Sequence, residues 1–269
     1  MKLAWLTDAH LDSAHKPAKR DLADQLRRCG PDALLMSGDL GEADRVAGDL
    51  EWLADAANCP VYFVLGNHDF YGGSIPRVRE DVGDFLAGRS DLVYLTGASV
   101  VTLCPGVGLV GHDGWGDGRL GRPMETPVRL RDFHEIEELR WLEQEVLVER
   151  LKALGTQAAQ TLEPALSEGL KSHEHMVVVT HVPPWEEAAW HEGEASDGDW
   201  SPYFVCHAMG QMLERVAAEF EDRHITVLCG HTHGGGEVWI RRNLWVRTGA
   251  AEYGKPALQA PIFIRGSAW

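Results

Sequence analysis

Short apolar runs alternate with amphipathic stretches in the first third of the chain. Residues 2–7, 33–37 and 61–65 are apolar runs of strand length. Between them, residues 21–29 and 45–57 repeat apolar positions at helical spacing. Short apolar runs separated by helices are typical of a buried parallel sheet built from βαβ units. The pattern therefore predicts such a sheet at the start of the chain.

The pattern changes after about residue 90. Three closely spaced apolar runs, with turn residues between them, predict a meander over residues 92–95, 99–103 and 107–110. Helical spacing follows over 135–154, and a second helix is predicted over 157–170 with a break at Pro164. Further strands are predicted at 175–180, 225–229, 238–240, 244–247 and 262–264. Together these elements indicate an α/β protein with two face-to-face sheets and flanking helices.

The length of 269 residues and the lack of a Ser/Gly/Pro-rich linker predict one domain over 1–269. Two long irregular segments interrupt it, near 111–132 and 183–202. Loops of this length inside a compact domain are usually functional or mobile.

The charge composition argues against some classes of binding partner. The 25 Lys and Arg residues against 41 Asp and Glu give a formal net charge of −16, which opposes general binding to nucleic acid or anionic membranes. Bound divalent cations would offset this charge locally, so an anionic substrate at a metal site is compatible with it. No signal-peptide core or membrane span is visible, and five scattered cysteines without a CxxC suit a reducing compartment. The predicted location is the cytoplasm.

Polar clusters follow five of the predicted strands. They are Asp8-Ala9-His10, Gly38-Asp39, Gly66-Asn67-His68-Asp69, His181 and Gly230-His231-Thr232-His233. Ligands of open α/β sheets bind outside the carboxyl ends of the strands, so we expect these clusters to meet at one edge. In an extended segment, residues two apart face the same way, which would aim Asp8 with His10, and His231 with His233, at one point.

The residue types in these clusters are those of a transition-metal site. Asp, Asn and Gly are common in turns, but histidine has no turn role, so turn chemistry alone explains the set poorly. Carboxylate, amide and imidazole ligands without thiolate favour Mn²⁺, Fe, Zn²⁺ or Ni²⁺. Seven candidate ligands exceed what one tetrahedral ion needs and suit two ions that share a carboxylate.

The ordered motifs D-A-H, G-D-L, G-N-H-D, a lone T-H and G-H-T-H, running from Asp8 to His233, resemble those of the calcineurin-like metallophosphoesterase superfamily. The resemblance implies a four-layer αββα sandwich with two mixed β-sheets. It also implies a dinuclear metal-dependent hydrolase of phosphate esters, either a phosphodiesterase or a phosphomonoesterase, with a metal-bridging hydroxide as nucleophile. The implied cofactors are two ions of Mn, Fe or Zn.

The resemblance also implies a role for each matching residue. One ion would be held by Asp8, His10, Asp39 and His233, and the other by Asp39, Asn67, His181 and His231. His68 would not bind metal but would protonate the leaving alkoxide or stabilise its charge. Some members pair this histidine with an Asp three residues after the bridging Asp. Glu42 stands at that position here, and Asp69 is the local alternative.

The segment 114–131 carries several arginines in an otherwise acidic protein, and Arg119 is a candidate substrate contact. Arginine grips phosphate bidentately, although arginines that pair with nearby acids in a solvated loop are the common alternative. Three tryptophans in the other long segment could cap the site, form a partner surface or pack beneath the loop.

The net charge favours a small phosphate ester over long DNA or RNA as the substrate. The alternatives are a Ser/Thr protein phosphatase and a non-catalytic metal-binding scaffold of the same fold. A scaffold is expected to have lost ligands or the acid histidine, whereas this sequence keeps all seven ligand positions and His68.

Overall fold

The computed structural model describes residues 1–191 and 193–264, and its strands form two large sheets. The order of the first sheet is β13 (Ile262–Phe263), β1 (Lys2–Leu6), β2 (Ala33–Ser37), β3 (Val61–Val64) and β4 (Leu92–Tyr94). Strands β1 to β4 run parallel, as the apolar pattern predicts, and β13 pairs antiparallel with β1.

The second sheet has six strands with a parallel centre. Its order is β11 (Gly236–Arg241), β12 (Leu244–Thr248), β10 (His224–Cys229), β7 (His175–Thr180), β6 (Val107–His112) and β5 (Val101–Cys104). The pairs between β12, β10, β7 and β6 are parallel, and both edge strands are antiparallel to their neighbours. A two-stranded ribbon of β8 (Trp190–His191) and β9 (Glu194–Ala195) lies within the predicted 183–202 segment.

Helices cover the outer faces of both sheets. The α-helices within residues 1–191 and 193–264 are α1 (Lys16–Cys29), α2 (Val46–Ala57), α3 (Ile75–Phe85), α4 (Asp132–Glu135), α5 (Gln144–Ser172), α6 (Ser201–Phe204) and α7 (His207–Glu219). One apolar cluster joins the facing sides of the two sheets through residues such as Trp5, Val64 and Val179. Two other clusters lie between each sheet and its helices. These layers form the four-layer αββα sandwich that the motif resemblance implies.

The meander predicted over 92–110 is wrong. β4 pairs parallel with β3 in the first sheet, whereas β5 and β6 form an antiparallel hairpin in the second. The reason is α3, which the sequence reasoning did not predict. It supplies the crossover that a parallel β3–β4 connection requires. Only Ile75, Val78 and Val82 of this short helix are buried, so its periodicity is weak.

The two helices predicted over 135–154 and 157–170, with a break at Pro164, are also wrong in their bounds. A single helix, α5, runs through Pro164, and residues 136–143 before it are not helical. Pro164 is exposed, so water can satisfy the carbonyl group that loses its helical partner. The buried stripe that includes Leu162, Leu166 and Leu170 continues past the proline and holds the helix on the sheet.

Helix α7 was not predicted from the sequence. Of the two long segments predicted to be irregular, one contains secondary structure. Residues 113–131 contain neither helix nor strand, whereas 183–202 hold short turns and the β8–β9 ribbon. Within residues 1–191 and 193–264, no helix is both long and apolar enough to cross a membrane.

Candidate metal centre

The loops after five parallel strands converge at one end of the sandwich. β1, β2 and β3 of the first sheet lead into Asp8, Asp39 and Asn67, and β7 and β10 of the second lead into His181 and His231. Both sheets therefore contribute side chains to the same point, which the rule for strand ends predicts.

One cluster consists of Asp8, His10, Asp39 and His233, whose candidate ligand atoms all lie within 4.8 Å of one another. The Nε2 atoms of His10 and His233 are 3.1 Å apart. His10 Nε2 lies 3.8 Å from Asp39 Oδ2, and His233 Nε2 lies 3.5 Å from Asp8 Oδ1. The first three residues are buried and His233 is partly exposed, so the cluster opens on one side.

A second cluster lies on the other side of Asp39. Asn67 Oδ1 is 3.0 Å from His181 Nε2 and 2.9 Å from His231 Nδ1. The two histidine nitrogens are 3.2 Å apart, and His181 Nε2 lies 3.3 Å from Asp39 Oδ1. The two carboxylate oxygens of Asp39 thus face different clusters, which is the geometry of a bridging ligand.

The hydrogen bonds around this second cluster leave its inner atoms as electron-pair donors. His181 Nδ1 lies 2.9 Å from the carbonyl of Ser37, and His231 Nε2 lies 3.1 Å from that of Tyr203. A carbonyl only accepts, so these nitrogens carry the ring protons and the opposite nitrogens present lone pairs. The amide nitrogen of Asn67 donates to Asp132 at 2.8 Å, which turns Oδ1 inward. Three lone pairs directed at one another are stable only with a cation or a proton between them, so the cluster fits a bound cation.

The pKa shifts of Asp39 and His181 also indicate that a positive charge is favourable between them. Burial alone would raise the pKa of Asp39, but His181 and His68 together hold it well below its usual range. Burial lowers the pKa of His181, yet the Asp39 carboxylate outweighs this and raises that pKa to about 10. In the chain without metal, a proton on His181 Nε2 therefore takes the position that a cation would take.

The candidate ligands are held by strained backbone. Seven non-glycine residues of the described chain have positive φ, and five of them are candidate ligands: Asp8, His10, Asp39, His231 and His233. Their φ values of +40 to +71° lie in the left-handed region. The expectation that D-x-H and H-x-H are extended is therefore wrong. Left-handed turns, which cost free energy and cluster at functional sites, aim these side chains inward.

Glycine is required at two points where the loops touch. A Cβ on Gly66 would overlap Asp39 Oδ1, and a Cβ on Gly230 would overlap Asp8 Oδ2. The glycines of the G-N-H-D and G-H-T-H motifs thus let the candidate ligands of neighbouring loops come into contact.

Asp69 has a structural role. Its buried carboxylate accepts four backbone N–H groups, those of Asp39, Leu40, Gly41 and Gly66, at 2.8–2.9 Å. Burial beside Asp39 raises its pKa to about 8. It joins the second and third strand-end loops and does not orient His68. Glu42 is partly exposed and pairs with Arg131 at 3.4 Å, so it does not supply that contact either.

His68 lies at the edge of the centre rather than within it. Its ring stacks on Tyr71 with centroids 4.3 Å apart, and Nε2 is 4.0 Å from Asp39 Oδ2. Burial lowers the pKa of His68 to about 4, although the charge of Asp39 opposes this. A neutral imidazole still carries one N–H, which can donate to a substrate oxygen.

The structure shows several residues at the site that the motifs do not mark. Asp132 is buried and accepts from Asn67 Nδ2 at 2.8 Å and from the Tyr71 hydroxyl at 2.6 Å, through the same oxygen. The Tyr253 ring packs on His10 at 4.4 Å and on His233 at 4.8 Å. Neither Asp132 nor Tyr253 belongs to a sequence motif. For Asp132, the one signal in the sequence was the length of the irregular segment that ends there, because loops of this length are usually functional or mobile.

A cleft of about 560 Å³ opens over the centre. Arg129, Arg131, Tyr253, His191 and Phe204 line it, together with Asp39, Asn67, His68, His231 and His233. Arg119 does not reach it. The Arg119 guanidinium donates to Asp117 Oδ2 and to Thr156 Oγ1 on α5, at 3.1 and 2.7 Å. Two later arginines of the same segment, and not Arg119, therefore face the centre.

Comparisons with known proteins identify the family and the fold of the chain. The model of the calcineurin-like phosphoesterase family matches residues 1–235. No curated protein matches the chain. Among solved structures, the phosphopantetheinyl hydrolase of Mycobacterium tuberculosis is similar, with a TM-score of 0.67 at 14% identity, covering 94% of this chain and 90% of that one. A dimetal phosphatase from Danio rerio has a TM-score of 0.57 at 15% identity, covering 93% and 87%.

Proposed function

Because this chain belongs to the calcineurin-like phosphoesterase family, it is a metal-dependent phosphoesterase, and we propose that it hydrolyses a small phosphate ester in its cleft, where two clusters of side chains would each hold a transition-metal ion. The observation that carries the proposal is the pair of clusters on either side of Asp39. Each of them gathers imidazole and carboxylate or amide atoms in the type and number that one such ion binds.

Four side chains would hold each ion. In this proposal Asp8, His10, Asp39 and His233 bind the first. Asp39, Asn67, His181 and His231 bind the second, with Asp39 shared. The ligand types suit Mn, Fe or Zn.

When bound, two such ions activate a water molecule as the nucleophile and stabilise negative charge on the phosphoryl oxygens. The chain supplies the remaining functions. Asp132 turns the Asn67 amide so that its oxygen faces the centre. His68 projects toward the cleft beside Asp39, where its N–H can donate a hydrogen bond that stabilises the charge of the leaving oxygen. Burial of the ligands keeps bulk water from competing for the same contacts.

The cleft supports a small substrate. A space of about 560 Å³ is within the range of small-molecule sites. The net charge of −16 would repel a long polyanion, so we infer a phosphate monoester or diester of small size.

Turnover of p-nitrophenyl phosphate and bis-p-nitrophenyl phosphate by the Mn²⁺-reconstituted protein tests the proposal. We expect hydrolysis of at least one ester, and Asp39→Asn should abolish it because both ions lose a ligand. His68→Ala should lower kcat by about 10²–10⁴-fold if the ring acts on the leaving group. Metal analysis should give two ions per chain for the wild type and for His68→Ala, but not for Asp39→Asn.

The outcomes separate the alternatives. Two bound ions without turnover of either ester, or of a phosphopeptide, would contradict the proposal and favour a metal-binding scaffold. Turnover of the phosphopeptide alone would favour a protein phosphatase. Fewer than one bound ion per chain would contradict the metal centre itself.

A further inference from the structure

The arginines of segment 114–131 fall into two groups in the structure. Arg119 is tied to α5 and to Asp117. Arg122 pairs with Asp199 at 2.6 Å, away from the residues that line the cleft. Arg129 and Arg131 are the two lining residues with a permanent positive charge. In a chain with a net charge of −16, this places the fixed cationic side chains of the cleft on one wall.

The position of Arg131 is set by the candidate centre. Its neighbour in the chain, Asp132, is held by Asn67 and Tyr71. The Arg131 guanidinium lies over the Tyr71 ring at 5.0 Å, and the His68 ring stacks on the same ring at 4.3 Å. Arg131 and His68 therefore contact the same aromatic side chain. An anion bound to Arg131 would lie beside the scissile phosphate and not at it.

The guanidinium groups of this wall are available to a ligand. Arg131 is 61% exposed, and its contacts with Glu42 and Glu135 are both 3.4 Å long. Exposed ion pairs of this kind contribute little free energy. Arg129 is exposed, and the hydrogen bonds described for it join a single guanidinium nitrogen to the carbonyls of Thr126 and Val128. A phosphate or carboxylate matches the fork geometry better than these contacts do.

We propose that Arg129 and Arg131 form a subsite for a second anionic group, so that the preferred substrates are small phosphate esters carrying a further phosphate or a carboxylate. The proposal rests on the proposed function, since it places the scissile phosphate at the metal centre. It assigns the two arginines to substrate choice and leaves the hydrolytic step to the centre.

Two matched pairs of esters test it, with phosphate release by the Mn²⁺-loaded protein as the readout. Adenosine 3′,5′-bisphosphate against adenosine 5′-monophosphate adds a second phosphate. 3-Phosphoglycerate against glycerol 1-phosphate adds a carboxylate. We expect the doubly anionic member of at least one pair to have a kcat/KM about tenfold higher or more, because charge-assisted hydrogen bonds contribute on that scale. The pair that shows the preference identifies the second anion.

Arg131→Gln should remove this preference by raising KM for the doubly anionic ester about tenfold, while the singly anionic ester changes less than twofold. Arg122→Gln is the matched control, since it is in the same segment and its side chain is 60% exposed against 61% for Arg131. It should keep the preference. No preference in either pair, an equal loss for both members of a pair in Arg131→Gln, or the same loss in Arg122→Gln would overturn the subsite.

Failure of the proposed function gives a different result. If none of the four monoesters and neither p-nitrophenyl ester is hydrolysed, that function is contradicted, and calorimetric titration of the four monoesters into the metal-loaded protein still decides the subsite. Tighter binding of the doubly anionic compounds that is lost in Arg131→Gln supports it. Equal affinities in the wild type overturn it.

Discussion

A hydrogen bond to the side-chain amide of Asn67 decides which of its atoms faces the candidate centre. Asp132 accepts from Nδ2, and the Tyr71 hydroxyl donates to the same carboxylate oxygen. With that partner in place, the amide oxygen lies 3.0 Å from His181 and 2.9 Å from His231. Without it, the amide could turn and present its N–H₂ group, which cannot bind a cation.

We therefore expect Asp132→Ala to weaken Mn²⁺ binding at the Asn67 side of the centre by about 10–100-fold, the usual effect of losing such a partner. Asp132→Asn should largely restore it, because an amide oxygen can accept both hydrogen bonds. Calorimetry would show one weakened and one unchanged site. Equal weakening in both variants would mean that the charge of Asp132, and not its orientation of Asn67, is what matters.

Asp113, at the end of β6, is the point where several elements of the first sheet are joined to the second. Its buried carboxylate accepts from the backbone of Leu65 after β3, and from Tyr94 and Thr96 around β4. It also pairs with Arg79 of α3 at 2.8 Å. The charge of Arg79 and these donors outweigh burial and keep the pKa of Asp113 below its usual value.

We expect Asp113→Ala to lower the free energy of unfolding by about 3–5 kcal/mol, since it leaves Arg79 and three other donors without their buried partner. Urea unfolding followed by circular dichroism measures this. Arg215→Ala, which breaks the exposed pair with Glu163, is the control and should change stability little. Similar losses in the two variants would contradict the joining role of Asp113.

Burial of His112 on β6 makes stability depend on pH. Burial lowers the pKa of His112 in the folded chain to about 4, against 6.5 for an unperturbed histidine. Above pH 6.5 the ring is neutral in both states and has no effect. As the pH falls from 6.5 to 4, the unfolded chain binds a proton that the folded chain does not, so stability decreases. His112 is not among the residues that line the cleft.

His112→Asn should remove this part of the pH dependence. The asparagine oxygen can still accept from the backbone of Gly114, which donates to His112 Nδ1 at 3.0 Å. Between pH 7.5 and pH 5, the wild type should lose about 2 kcal/mol more than the variant. Chemical unfolding at both pH values measures the difference. Parallel losses would show that His112 is protonated in the folded chain at pH 5.

Residues that belong to a local motif could be placed at the site from the sequence, whereas residues defined by a distant partner could not. Asn67, His181 and His231 are marked by their own motifs, so their convergence could be predicted from strand ends alone. Asp132 could not, because its partner is 65 positions away and no pattern links them. The placement of β4 failed for a similar reason, since a parallel partner depends on a crossover helix whose buried face has only three residues.

At the scale of the whole molecule, the candidate centre joins the two sheets. The first sheet supplies Asp8, Asp39 and Asn67, and the second supplies His181 and His231. In the chain without metal, these groups come together at the cost of strained backbone and of carboxylates buried with 1% exposure. Bound cations would offset both costs, and they would do so only in the folded state, where the ligands from the two sheets meet.

Metal removal should therefore lower the stability of the entire fold. A ligand that binds only the folded state at 100 times its Kd stabilises by about 2.7 kcal/mol per site. For a chain somewhat longer than 250 residues, each kcal/mol shifts Tm by about 2–4 °C. With two sites, we expect chelation to lower Tm by about 10–20 °C and added Mn²⁺ to restore it. Asp39→Asn, which keeps the side-chain size but removes the shared carboxylate, should respond to neither treatment. If the Tm of the wild type is the same with and without Mn²⁺, the ions do not contribute to holding the two sheets together.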